Sequence, residues 1–186
     1  PDNTQHPPRA PKYIVGIGAS AGGLEPLEQF FDNMPANTGM AFVIVQHLSP
    51  DFKSLMYQLL ARHTHMAIHR VEDGMEVHAD SLYLIPPKMN MVLEDGHLRL
   101  TEQNHAARLN LPIDLFFQSL AKSAGERSIG VVLSGTGSDG SRGIKDIHEA
   151  SGLVLVERPD AAGFDGMPRN AIATGVADEV ATPEKM

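Results

Sequence analysis

Apolar runs and amphipathic stretches alternate along this chain, and their spacing sets the first expectation of its fold. Residues 13–17, 41–45 and 67–71 read as strands, with helical periodicity over 24–31 and 54–61 between them. That order is βαβαβ. A second series starts with a helix over 113–121, passes through a strand over 129–133 and a helix over 143–150, and ends in a strand over 153–156. Nearly uninterrupted apolar strands belong to a parallel sheet covered on both faces. The middle of the chain differs. Residues 82–85, 91–94 and 97–101 read as strands, the last two joined by Asp95-Gly96, a pair that readily adopts the positive φ angles of a tight hairpin turn. The fold class expected is therefore α/β: a doubly wound, mainly parallel sheet with helices on both faces and an antiparallel β-hairpin at one edge.

The ends look different from the body. Residues 1–11 are rich in proline with polar residues between, build no periodic apolar face, and are expected to be a linker or a disordered N-terminus. The folded domain is expected over 12–181. Thr182-Pro183-Glu184 has the form of a helix start, an N-cap Thr followed by Pro at the first position, so 182–186 read as a truncated helix or linker of a longer protein.

Composition narrows the function classes. The chain has 186 residues, 42% of them hydrophobic and 20% charged, which is ordinary for a folded globular domain. Its formal net charge of -8, with no basic run, disfavours nucleic acid as a partner. The longest apolar stretch, residues 40–45, is too short to enter and cross a bilayer, and no signal sequence opens the chain, so a cytoplasmic protein is expected. Cysteine is absent, which removes disulfides, thiolate nucleophiles and thiolate metal ligands together.

In an open α/β sheet, ligands bind beyond the carboxyl ends of the strands, so polar residues just after an apolar strand carry most weight. Gly18-Ala19-Ser20-Ala21-Gly22 fits G-x-S-x-G between the first strand and the first helix, a setting that lifts a serine hydroxyl above the sheet as a nucleophile. Alternatively, Ser20 simply caps the helix. Gln46-His47 ends the second apolar strand and offers a base; a lone histidine is more often structural, and the chain has nine. Leu133-Ser134-Gly135-Thr136-Gly137-Ser138-Asp139-Gly140 is a second Gly-rich turn, where Asp139 would orient His47 or, alternatively, cap a helix. Ser, His and Asp at three strand ends of one sheet supply what acyl transfer needs. Their chain order differs from the Ser-Asp-His order of common α/β-hydrolases, so a different sheet topology is expected. The backbone N–H groups of Ala21 and Thr136 are candidates for holding an oxyanion.

Two other readings are open at this level. Gly16, Gly18 and Ala21, and again Gly135, Gly137 and Gly140 with Glu157 further on, resemble dinucleotide fingerprints, which would make this a nicotinamide-binding domain. A catalytically weakened protein-binding module is the third class. His63, His65 and His69 resemble metal ligands in spacing, but they run from a helix end into a strand without a carboxylate at helical spacing, and no metal is expected there.

From residue 13 to residue 180 the sequence resembles the catalytic domain of the chemotaxis protein-glutamate methylesterases. The likeness rests on the two Gly-rich turns, Val45-Gln46-His47, Leu82-Tyr83-Leu84-Ile85-Pro86-Pro87 and Gly166-Met167-Pro168-Arg169-Asn170-Ala171. It implies a catalytic triad of Ser20, His47 and Asp139, hydrolysis of glutamate methyl esters on chemoreceptors with deamidation of receptor glutamines, and no cofactor. The implied partners are the cytoplasmic helical region of methylated chemoreceptors and, in the full-length protein, a linked receptor methyltransferase domain. Three positions depart from the commoner family pattern: Ala21 where a Thr is usual, Thr136 where a Met is usual, and Asn90 about where a His often lies. All three are expected to line the active site.

Overall fold

The structure, a computed structural model, describes residues 8–47, 50–104, 106 and 109–186. Seven strands form one sheet in the order β10-β9-β8-β1-β2-β5-β3: β1 (Ile14–Ala19), β2 (Ala41–Gln46), β3 (Ala67–Arg70), β5 (Ser81–Leu84), β8 (Ser128–Val132), β9 (Leu153–Glu157) and β10 (Glu179–Ala181). All their pairings are parallel. β1, β2 and β5 are buried along their whole length, which is why they read as continuous apolar runs and not as alternating ones.

Helices cover both faces, as the sequence pattern predicts. α1 (Leu24–Asp32) and α2 (Pro50–Leu60) lie on one face, where Leu27, Phe30 and Phe31 pack on Phe42 and Ile44 of β2. α3 (Pro112–Ala124), α4 (Gly143–Glu149) and α5 (Gly166–Ala173) lie on the other, where Ile113, Phe116, Phe117 and Leu120 meet Val43, Val45 and Val132. The hairpin is present as β6 (Met89–Glu94) and β7 (His97–Glu102), with Asp95 and Gly96 at positive φ. It joins β4 (Met75–Glu76) in a separate three-stranded antiparallel sheet instead of extending the large one. Met91, Leu93 and Leu98 of that small sheet are fully buried in the same core as α3.

Of the expected N-terminal linker, residues 1–7 lie outside the described residues. Arg9 and Pro11 are tied to the domain: the Arg9 carbonyl accepts from Ala79 N–H at 2.8 Å and the Pro11 carbonyl from Arg127 at 3.1 Å. At the other end the expected helix start is a single 3-10 turn, Pro183–Lys185, which packs on α1 with Pro183 buried. β1 and β8 are neighbours whose connections leave in opposite directions, β1 toward β2 and β8 toward β9. The crevice at such a switch point is where this class of sheet places its ligands.

Candidate active site

The turns after β1, β2 and β8 meet at that switch point. Ala19 pairs with Gln46 across β1 and β2, and His47 N–H donates to the Ala19 carbonyl at 3.2 Å, so Ser20 and His47 leave adjacent strand ends side by side. From the opposite side, Ser20 N–H donates to the Ser134 carbonyl at 2.9 Å. A Cβ built on Gly135 would lie 2.8 Å from the Ser20 Cβ and collide with Met167 Sδ, so only glycine lets the β8 turn approach the serine this closely. Gly22, with φ of +69°, lets the chain turn back into α1 beneath Phe164, whose ring a Cβ there would meet at 2.9 Å.

His47 and Asp139 form a 2.7 Å hydrogen bond between Nε2 and Oδ2. A carboxylate only accepts, so Nε2 carries the proton and Nδ1 is left as the basic nitrogen. Asp139 is 5% exposed and is held by three backbone donors: Ile113 N–H at 3.0 Å, Asp114 N–H at 2.8 Å and Gly140 N–H at 2.9 Å. The first two belong to the opening turn of α3, so Asp139 satisfies N–H groups that the helix itself leaves without a partner. Asp139 thus does both things the sequence left as alternatives: it caps a helix and faces the histidine.

Asp114 answers in kind. Its Oδ1 accepts from Arg142 N–H at 3.0 Å and Gly143 N–H at 2.8 Å at the start of α4, so Asp139 caps the helix that contains Asp114, and Asp114 caps the helix that follows Asp139. Burial is the main cause that raises the Asp114 pKa above the ordinary carboxylate value, with the nearby Asp139 charge adding in the same direction and the backbone donors opposing. This cap also occupies the N–H groups that a dinucleotide pyrophosphate would take after the second Gly-rich turn.

The two candidate oxyanion donors lie on the turns that flank Ser20. Ala21 follows Ser20 directly, and its carbonyl accepts from Ser134 Oγ at 2.8 Å. Thr136 is exposed and follows Gly135, the residue packed on Ser20. Among the described residues, the N–H groups of Ala21 and Thr136 meet no acceptor of the chain. Asn90 sits in β6 opposite Thr101, in the smaller sheet, which packs on α3. Two of the three histidines with ligand-like spacing serve elsewhere. His63 is gripped between Glu28 at 2.7 Å and Asp32 at 2.6 Å, and His69 stacks on Tyr83 with ring centroids 5.1 Å apart. Among the described residues no group of three His, Asp or Glu side chains is arranged to hold a metal ion.

Residues 15–186 match the sequence profile of the CheB methylesterase family. The chain belongs to this family. Among its relatives, a 104.1 kDa protein of Rhodobacter capsulatus is 51% identical over 131 residues, 70% of this chain and 14% of that protein. A protein-glutamate methylesterase/protein-glutamine glutaminase of Geobacter sulfurreducens is 33% identical over 189 residues, all of this chain and 51% of that protein. The crystal structure of the Thermotoga maritima CheB methylesterase catalytic domain superposes with a TM-score of 0.84 at 28% identity, over 93% of this chain and 94% of that one. The chain spans about half the length of the methylesterase relatives it matches. Among the described residues no helix is long and apolar enough to cross a membrane.

Residues beyond the expected set also shape the CheB-type site. Ser134 is its hub: its hydroxyl joins the Ala21 and Phe164 carbonyls and the Phe164 N–H, and its own N–H donates to Glu157 at 2.8 Å. Glu157 is 1% exposed, and burial pushes its pKa from 4.5 to about 7. A cleft of about 520 Å³ opens at Ser20 and runs between α1 and α2, with Gln46, Glu157, Met56 and Leu59 among its walls.

Proposed function

We propose that this domain is a serine hydrolase that removes methyl esters from glutamate side chains of chemoreceptors and, by the same acyl transfer, deamidates receptor glutamines. The observation that carries the reading is the His47–Asp139 pair, 2.7 Å apart and held on the first turn of α3, beside a serine in a G-x-S-x-G turn. His47 Nδ1 removes the Ser20 proton as Oγ attacks the ester carbonyl, and Asp139 stabilises the imidazolium that forms. The N–H groups of Ala21 and Thr136 take the negative charge that develops on the carbonyl oxygen, assisted by the amino end of α1. Collapse returns the proton to the departing methoxide, and methanol leaves. A water deprotonated by His47 then attacks the acyl-enzyme, releasing the glutamate carboxylate and restoring Ser20. With a glutamine substrate the leaving group is ammonia. No step calls for a cofactor or a metal.

The partner on this reading is the cytoplasmic helical region of a methylated chemoreceptor, which places the domain in the cytoplasm, with a receptor methyltransferase domain linked in the full-length protein. A fluorophosphonate probe followed by peptide mapping tests the nucleophile. The label is expected on the peptide carrying Ser20 and is expected to be lost in His47→Ala; label on another residue, or labelling that survives that substitution, would overturn the assignment.

A further inference from the structure

The cleft that meets Ser20 lies on the opposite face of the sheet from the His47–Asp139 pair. His47 and Asp139 converge on the start of α3, whereas Gln46 shares a strand face with Phe42 and Ile44, the face covered by α1 and α2. Because Ser20 itself lines this cleft, a side chain that fills it lies next to the reacting ester. Its volume of about 520 Å³ falls in the range of ligand-binding clefts.

The chemistry of the walls restricts the occupant. Gln46 is 6% exposed, lines the cleft and has its Nε2 buried with no partner among the described residues, an arrangement that costs free energy until an acceptor arrives. Two carboxylates of α1, Glu25 and Glu28, line the same space beside Glu157, whose burial holds its proton up to about pH 7, and among the described residues no Lys or Arg lines it. An anion entering there meets like charge. A cation gains less than the count implies, because Glu28 is already paired with His63 and a cation brings no acceptor for Gln46. Met56 and Leu59 offer apolar surface for the stem of a side chain.

Building on the methylesterase reading, we propose that this cleft is a specificity subsite that takes a neutral, carbonyl-bearing side chain of the substrate protein, a glutamine or a second glutamyl ester flanking the scissile one, and rejects a carboxylate. The Gln46 carboxamide donates to the carbonyl of that side chain, and the carboxylate of Glu25 excludes a flanking glutamate. The domain thereby distinguishes neighbourhoods already modified from those already hydrolysed.

Helical peptides carrying one glutamyl methyl ester, with Gln, Glu, Leu or Lys three or four residues away on the same helix face, test this through methanol release. For the wild-type domain kcat/KM is expected to be about tenfold higher with Gln than with Glu, and several-fold higher with Gln than with Leu or Lys. Glu25→Gln should shrink the Gln-to-Glu ratio, and Gln46→Leu should abolish the Gln-to-Leu ratio while leaving the rejection of Glu. Equal rates for all flanks, or a preference for Lys, would overturn the subsite while leaving the esterase intact. Absence of methanol from every peptide would overturn both.

Discussion

Replacing Glu157 by Gln gives a stability effect whose size and sign follow from one buried carboxyl. Glu157 is 1% exposed and accepts a 2.8 Å hydrogen bond from Ser134 N–H, which favours the ionised form. Burial opposes it and dominates, and the charges of Glu184 and Glu25 push the same way, so the pKa rises from 4.5 to about 7. The native state therefore holds this proton more tightly than the unfolded chain does. The stabilisation tied to it is complete below about 4.5 and is lost as pH rises through about 7. At about 1.4 kcal/mol per pH unit between the two values, the full effect is about 3 kcal/mol, of which about 2.5 kcal/mol falls between pH 5 and pH 8. Urea unfolding of wild type and Glu157→Gln across that range isolates it, because every other titrating group is common to both proteins. The wild type is expected to lose about 2.5 kcal/mol relative to the variant from pH 5 to pH 8. A difference between the two that stays constant with pH would refute the reasoning.

Other substitutions probe the frame of the site. Asp139→Asn places an amide against His47 Nε2 and the α3 donors, so turnover of a methylated peptide is expected to fall by roughly three to four orders of magnitude; a loss of only a few-fold would exclude Asp139 from the triad. Gly135→Ala drives a methyl group into Met167 and the Ser20 Cβ, and should cost about 1–3 kcal/mol in urea unfolding together with most of the turnover. Asp114→Ala removes the acceptor at the start of α4 and should destabilise the domain by about 1–2 kcal/mol, with Asp114→Asn, which keeps an acceptor oxygen, costing less. His63 has its pKa raised chiefly by its hydrogen bond to Asp32, with Glu28 adding to it. Its contribution is present below the ordinary value of 6.5 and fades as pH rises through the elevated one, so His63→Ala should lower the thermal midpoint more at pH 6 than at pH 9.

Much of this site is legible along the chain because it is built from strand ends. The turns at Ser20, His47 and Asp139 each follow an apolar run, and a parallel sheet brings neighbouring strand ends together. Other features depend on contacts distant in sequence. The start of α3 carries no side-chain cap from its own N-cap residue, Leu111, because the cap comes from Asp139 in a turn 25 or more residues further on. Glu157 reads as a ribose-binding acid when only its spacing from a Gly-rich turn is considered; its bond to Ser134 appears once β8 and β9 are paired. No local pattern reveals which face of β2 the Gln46 side chain occupies until α1 and α2 are packed on it. The short strands β4 and β10 and helix α5 carry too few residues to show a period.

Methanol release from a methylated chemoreceptor fragment, compared between the wild-type domain and Ser20→Ala, tests the central claim most directly. The wild type is expected to release methanol and leave glutamate, and Ser20→Ala to lower the rate by several orders of magnitude while folding normally. Methanol release by Ser20→Ala within a few-fold of wild type would contradict the account.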